Sequence, residues 1–475
     1  MDRRPRLVSG SPVLSQWLEK IGAGKKSFRH SYWEDALSRV LACMVLSPTW
    51  YRISMRKGDG DLSGAARVVD LLGDAGLMEI KPGFFDRTQG TGRQTRFRAT
   101  KELVLALHET QPELDWTTYK PFLMKDEHRQ VATGYRLRSG LSDYCTLTGT
   151  THTNPNPTHQ GEEREGKLPA TNHPTYASLS TPLTGGLVGA ALDYSLTESQ
   201  ETPLSSRFAS APDSRFAPLA FQMMEDVDAW MPQHTAAYLP LLLQYHTELG
   251  RHAFALDGLP FIPAPLYRVF NRGRWSLGGR YYGGQWQGWC KADRHTITID
   301  GEPTAELDYA GYHPRMLYHL QGIDPGPPGP DRSGPGWDPY QISWPRPYAK
   351  LGLNIAINAQ TRLAALRACA RHQGSLSGPD GESLPRLSHK EWERVLDELD
   401  ARHPDIQHCL GSDAGIRLQA LDAKVCGAVI FSAALQGIPI LSVHDSFICR
   451  QQDQATVLEL MTKAYSALFG HAPVI

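Results

Sequence analysis

Ile438-Pro439-Ile440-Leu441-Ser442-Val443-His444-Asp445-Ser446-Phe447-Ile448-Cys449 decides how the C-terminal half of the chain is read. Two apolar runs flank His444-Asp445-Ser446, the pattern of two buried strands joined by a tight turn. A carboxylate in such a turn is costly unless an ion compensates it. Taken alone, Asp445 is an ordinary turn aspartate.

Two segments upstream change that reading. His295-Thr296-Ile297-Thr298-Ile299 alternates as a strand, Asp300-Gly301 is a two-residue hairpin dipeptide, and Thr304-Ala305-Glu306-Leu307-Asp308 returns. Tyr312 to Leu320 then has a helical pattern, so Asp308 falls at a strand end, where the commonest role of an aspartate is a helix cap. Further on, Arg346-Pro347-Tyr348-Ala349-Lys350-Leu351-Gly352-Leu353-Asn354-Ile355-Ala356-Ile357-Asn358-Ala359 predicts a helix with Pro347 in its first turn. Arg346, Lys350, Asn354 and Asn358 recur every fourth residue and share one face. Two cations followed by two amides suit a nucleoside triphosphate, and equally a solvated helix face.

In this order the three segments resemble the single-subunit polymerases, the superfamily of family-A DNA polymerases and phage-type RNA polymerases. Asp308-Tyr309-Ala310-Gly311-Tyr312-His313-Pro314-Arg315 resembles motif A. Arg346-x-x-x-Lys350 with Asn358-Ala359 is similar to motif B, and His444-Asp445-Ser446-Phe447 to motif C. Gly279-Arg280 resembles the Gly-Arg that precedes motif A. The resemblance covers about 200 residues. It implies an α+β fold: a polymerase-like palm, an antiparallel sheet with helices, and reduced fingers within residues 221–475. It also implies that Asp308, Asp445 and the Tyr309 carbonyl hold two magnesium ions, with manganese as an alternative. Hard carboxylate oxygens beside substrate phosphates are what magnesium prefers, and paired ions suit nucleotidyl transfer. By the same resemblance Lys350 neutralises the leaving pyrophosphate, Arg346 binds the outer phosphates, Arg280 contacts the primer or the nucleotide phosphate, and His444 orients the primer end. Gln419 and Asp422, at the head of the helix before motif C, are placed toward the template or the active-site network. The departures are His313, where the DNA enzymes carry a glutamate that excludes the ribose 2′-hydroxyl, and Asn358, where they carry tyrosine. Both open the site to ribonucleotides. No proofreading exonuclease segment is recognisable.

Residues 1–128 are expected to form a separate module. Ala65, Val68, Val69 and Leu72 share a helical face, Gly76 offers a stop, and strands are predicted at Leu77–Ile80 and Thr95–Ala99 around a polar, glycine-rich loop. Helix, strand, basic loop and strand resemble a winged helix. Its helix would then enter a groove, and Arg87, Arg93, Arg96 and Arg98 would meet phosphates. Residues 1–100 hold 17 Lys and Arg against 10 Asp and Glu, an excess of seven on a chain of net charge −1. That local excess fits DNA or RNA as partner. Residues 129–220, rich in Thr, Ser, Pro and Gly, read as a low-complexity linker or insertion. The apolar stretch holding Ala237, Leu239, Leu241, Leu242 and Leu243 predicts a helix, either thumb-like or a plain core helix.

The seven scattered cysteines include no C-x-x-C pair, so neither a zinc site nor a disulfide framework is expected. No run of about 18 uninterrupted apolar residues and no apolar leader are visible, so no membrane partner and a cytoplasmic location are expected. Tyr281-Tyr282-Gly283-Gly284-Gln285-Trp286-Gln287 fits base stacking or the core of a hairpin. His403, Asp405, His408 and Asp413 match no standard metal spacing and read as a surface loop. The leading expectation is a template-directed polymerase, such as the primase or replication polymerase of a mobile element. A template-independent nucleotidyltransferase and a non-catalytic DNA-binding replication or regulatory protein are the alternatives.

Overall fold

The computed structural model describes residues 241–327, 336–374, 376–378 and 381–475, together with 30–53, 63–86, 91–93, 95–110 and shorter pieces up to Thr151. Its class is α+β. The N-terminal module runs α1 (His30–Leu46), β1 (Tyr51–Ile53), α2 (Ser63–Asp74), β2 (Met78–Lys81), a small hairpin of β3 (Phe84–Asp86) and β4 (Thr91–Arg93), β5 (Thr95–Ala99) and α3 (Lys101–Glu109). Strand β5 lies between β1 and β2. Phe97 stands opposite both Tyr51 and Ile80, and it is buried with Val68, Val69, Leu72, Leu103, Val104 and Leu107. This apolar stripe is what the helical period of residues 65–72 encodes. The Thr100 side chain accepts from the Leu103 N–H and starts α3.

Between the module and the C-terminal half lie β6 (Phe122–Lys125), β7 (Val131–Leu137), β8 (Leu147–Thr151) and helix α4 (241–249). Two of these strands fall inside the expected linker, residues 129–220, and the remainder of that span lies outside the described residues, as do Ala237 and Leu239. Leu242, Tyr245 and Leu249 of α4 are buried, so α4 is a core helix. The next strands are β9 (Phe254–Leu256), β10 (Leu259–Phe261), β11 (Tyr267–Asn271) and β12 (Arg274–Tyr282). A five-stranded sheet has the order β8-β7-β6-β11-β12, antiparallel except where β6 runs parallel to β11.

The main sheet is completed by β13 (Ile297–Ile299), β14 (Glu302–Asp308), β15 (Leu441–Val443) and β16 (Ser446–Arg450), in the order β10-β9-β13-β14-β16-β15, antiparallel throughout. Asp300 and Gly301 both have positive φ, 55° and 79°, as a two-residue turn of the primed type requires. The expected helices appear as α5 (Tyr312–Leu320) and α6 (Arg346–Asn358). Helices α7 (Arg362–His372) and α8 (His389–Arg402) follow, and α8 starts with a capping box from Ser388 and Glu391. Helix α9 (Ala414–Leu435) packs against β12 of the five-stranded sheet, and α10 (Gln454–Phe469) packs against α9 and against β14 and β16 of the main sheet. On length and composition α9 could cross a membrane, but 83% of its apolar window is buried inside this protein.

The two halves share a seam. Gln285 Nε2 donates to the carbonyls of Leu46 (2.5 Å) and Ile262 (2.8 Å), Trp289 Nε1 donates to Ser47 Oγ (3.2 Å), and the Ile262 N–H donates to Val45 O (3.1 Å). Of the two readings of Tyr281–Gln287, the core reading is observed: Tyr281 and Trp286 are buried, and Trp286 Nε1 donates to Ser442 O at 2.8 Å. The surface-loop reading of His403 is corrected. His403 is fully buried, hydrogen-bonded to Tyr318 Oη (3.0 Å) and Pro339 O (2.8 Å), because the apolar packing of α5 against the segment after α8 encloses it.

One irregularity aims a side chain into the site. Val269 pairs with Arg280 and Phe270 with Gly278, so Gly279 is an extra residue, a bulge that turns Arg280. Gly279 has φ +83°, and a Cβ there would lie 2.8 Å from a Phe270 ring carbon and 3.0 Å from Arg268. Gly279→Ala should therefore lower unfolding free energy in urea titration by about 2 kcal/mol or more, from crowding and left-handed strain together. An unchanged midpoint would remove the bulge from the account.

Candidate active site

Pairing between β14 and β16 builds the site. The register runs from Thr304 opposite Arg450 to Asp308 opposite Ser446, so Asp445, the residue before Ser446, is set beside Asp308. The Tyr309 N–H donates to Asp445 O at 3.4 Å and ties the two strand ends together. His444 forms the turn with a φ of 58°, a conformation that costs a non-glycine residue energy. Asp308 keeps solvent contact, but the surrounding protein first, and the Asp445 and Glu306 charges next, push its carboxyl up to about 6; Lys350 pulls the other way.

Glu306 is on the same strand and is already engaged. It accepts from Arg294 Nη2 (2.7 Å) and Nε (3.1 Å) and from Ser446 Oγ (2.9 Å), contacts that hold its carboxyl low against the effect of burial. It braces the turn from below. Among the described residues no three His, Cys, Asp or Glu side chains form a metal cage, so what the strands bring together is a carboxylate pair. The side chain of Tyr309 belongs to the core: its hydroxyl donates to Met461 O (2.8 Å) and its ring stacks on Tyr312 with centroids 4.6 Å apart. Only its backbone reaches the site.

A second cluster stands on β12 and α9. Arg280 Nε donates to Asp422 Oδ2, and Arg280 Nη2 lies 2.9 Å from His313 Nε2. Burial pushes the Asp422 carboxyl up to about 6, opposed by the guanidinium. Burial and the same guanidinium push His313 down to about 3, so His313 is neutral and its Nε2 accepts. Arg280, expected to contact the primer or the nucleotide phosphate, is held by Asp422 and His313 inside the protein. Its field still reaches Asp445 and lowers His444, whose pKa burial depresses most. The His444 ring packs edge-on against Tyr282 at 5.4 Å, and its Nδ1 is buried with no hydrogen-bond partner among the described residues. Gln419 lies half-buried on α9, three residues before Asp422.

The third wall is α6. Tyr348, Ala349, Gly352, Leu353, Ala356 and Ile357 are buried, which leaves Arg346, Lys350, Asn354 and Asn358 along the exposed face as the four-residue spacing predicts. Arg346 pairs with Asp338 (3.1 Å) and sits 4.7 Å from the Tyr340 ring centroid. Asn358 Nδ2 donates to Asn354 O at 2.8 Å. Tyr340 was not legible in the sequence, because it follows the Pro- and Gly-rich stretch 324–337. Burial pushes its hydroxyl up to about 12; Arg346 opposes the shift, and Asp338, Asp445 and Asp308 add to it, so the hydroxyl lies within the fields of both the Arg346 cation and the carboxylate pair. Asp422 carries a clearer signal, as the one acid of α9, and the sequence places it with Gln419 toward the template or the active-site network.

Of the N-terminal arginines, Arg87 lies outside the described residues and Arg93 is placed only as a strand residue. Arg96 and Arg98 are on β5, and both Arg98 Nε and Nη2 donate to Glu79 (2.8–3.0 Å), which already neutralises it.

The pair makes a testable demand. The folded Asp308 carboxyl holds its proton more tightly than an unfolded aspartate at 3.8, so its contribution to stability is lost as pH rises from about 4 to about 6. In metal-free buffer Asp308→Asn should melt at a higher temperature than the parent above pH 6 and close to it at pH 4. A variant no more stable than the parent at pH 7.5 would refute the crowding. Comparison with known protein families, characterised proteins and solved structures finds no match to this chain.

Proposed function

We propose that the chain is a nucleotidyltransferase of the polymerase type, template-directed, with a palm built on the main sheet, reduced fingers in α6 to α8, and a winged-helix-like module at its N-terminus. The observation that carries this reading is the register that sets Asp308 beside Asp445, with the Lys350 charge within reach. The run of helix, strand, helix, strand, hairpin and strand through residues 30–99, with β5 central, supports the N-terminal assignment.

The donor set fits a divalent cation. Two crowded carboxylates repel each other, and a hard cation between them would relieve the repulsion that raises Asp308. Magnesium bound there supplies Lewis acidity toward a hydroxyl and a phosphate. The chain's own residues do the rest. Asp308 and Asp445 hold the cation, with the Tyr309 carbonyl beside them. Lys350 offsets charge building on the leaving pyrophosphate, and Arg346, released from its exposed pair with Asp338, takes outer phosphates. Asn354 and Asn358 offer amides to sugar and base. His313, neutral and hydrogen-bonded to Arg280, takes the place where the resemblance puts a glutamate that excludes a 2′-hydroxyl, so ribonucleotides are admitted. His444 and Arg280 shape the wall beside the primer end.

Asp308→Ala and Asp445→Ala should each abolish incorporation of labelled nucleotides in magnesium buffer while the chain still binds primer–template. Loss of binding as well would mean misfolding, and retained incorporation would end the proposal. Extension that ignores template sequence would overturn template direction alone. Lys350→Ala should slow single-turnover incorporation about 10²–10³-fold, the cost of removing one preorganised charge from a transition state. An unaltered rate would remove Lys350 from the chemistry.

A further inference from the structure

We infer that the N-terminal module meets a nucleic-acid phosphate backbone with the outer face of its sheet β1-β5-β2, and not with helix α2. The inference rests on reading the chain as a nucleic-acid enzyme and adds where, and with which side chains, the backbone lies. Helix α2 is poorly suited to a groove lined with phosphates. Its buried positions are Ala65, Val68, Val69 and Leu72, and its charged residues are one cation, Arg67, and two anions, Asp70 and Asp74. Asp74 is exposed at the C-terminal end, where the backbone dipole is already negative.

The sheet has the opposite character. Tyr51, Phe97 and Ile80 pair across the core face, so the next position along puts Arg52, Arg96 and Lys81 in one cross-strand row. With strands about 4.8 Å apart, that row spans about 10 Å. Like charges directly opposite each other cost stability, and an anion lying across the row recovers it. Among the described residues no carboxylate pairs with Lys81 or Arg96. Glu79, the acid on the same face, is taken by Arg98. Trp50 organises the cations: Lys81 Nζ lies 4.2 Å and the Arg98 guanidinium 4.9 Å from its ring centroid. Cation–π contact holds the Lys81 stem on the sheet and leaves its ammonium N–H groups to face a backbone, while Arg98 stays with Glu79. A sheet face laid on the backbone does not enter a groove to reach base edges, so binding is indifferent to sequence and strongly salt-dependent.

The test is fluorescence anisotropy of the full chain with a labelled 20-base-pair DNA duplex over a range of NaCl, without nucleotides. Lys81→Glu and Arg96→Glu should each raise Kd tenfold or more at low salt. Lys81→Gln and Arg96→Gln, which spare the fold from a buried or clashing acid, should each lower the slope of log K against log salt by about one. Arg67→Glu on α2 should change Kd less than twofold. Sheet variants that bind like the parent, or an Arg67→Glu loss as large as theirs, would overturn the inference. So would a polyglutamate peptide of matched charge that binds as tightly as DNA. Binding lost in the sheet variants while the parent incorporates no nucleotide would keep this surface and remove the polymerase reading. Incorporation with binding unaltered would do the reverse.

Discussion

Two carboxylates share the end of one antiparallel strand pair, and their mutual repulsion is the constraint around which the C-terminal half is arranged. The ladder between β14 and β16 leaves no freedom in the matter: once Thr304 faces Arg450, Asp445 must arrive beside Asp308. A one-residue slip would move every side chain to the other face of the sheet and separate them. The register is held by burial of Phe447, Ile448 and Cys449 on one strand and, below the turn, by Glu306 gripping Ser446 and Arg294. The structure spends one fully satisfied acid to secure two that are not.

The wall formed by Arg280, Asp422 and His313 works differently. A buried guanidinium would be prohibitively costly alone, and Asp422 offsets that cost from the middle of an apolar helix. The pairing fixes Arg280 against His313 and keeps the histidine neutral, so this side of the site presents dipoles in place of a net cation. Net positive charge comes from the opposite wall, α6. A substrate carrying several negative charges would therefore be drawn to α6 and its neutral portion left against His313 and Tyr282, a polarity produced by where the ion pairs close and where they do not.

The seam between the halves has a consequence for geometry. The short turn at Gln285–Gly288 grips both sides: Gln285 holds the end of α1, while Trp286 and Gln287 donate to Ser442 O, two residues before the active-site turn. The N-terminal module is thus docked through the same element that supports Asp445. A nucleic acid held on that module would lie at a set position relative to the carboxylates.

Much of this was legible in the residues themselves. Local periodicity placed Tyr312–Leu320 and Arg346–Asn358 as helices, Asp300-Gly301 as a hairpin turn, and the two aspartates at strand ends, because each depends on patterns within a few residues. The four-residue spacing of Arg346, Lys350, Asn354 and Asn358 held because a helix preserves it whatever surrounds the helix. Burial and partner choice were not legible. His403 sits among polar residues in the chain but inside the core in space; Arg280 finds its acid 142 residues away; Tyr340 meets the charges of Asp308 and Asp445 although neither is near it in the chain. The sequence by itself determined the elements and the residue types offered at their ends. Only the tertiary structure decided which charges meet, since Coulomb energy and desolvation depend on distance and enclosure, and separation along a chain specifies neither.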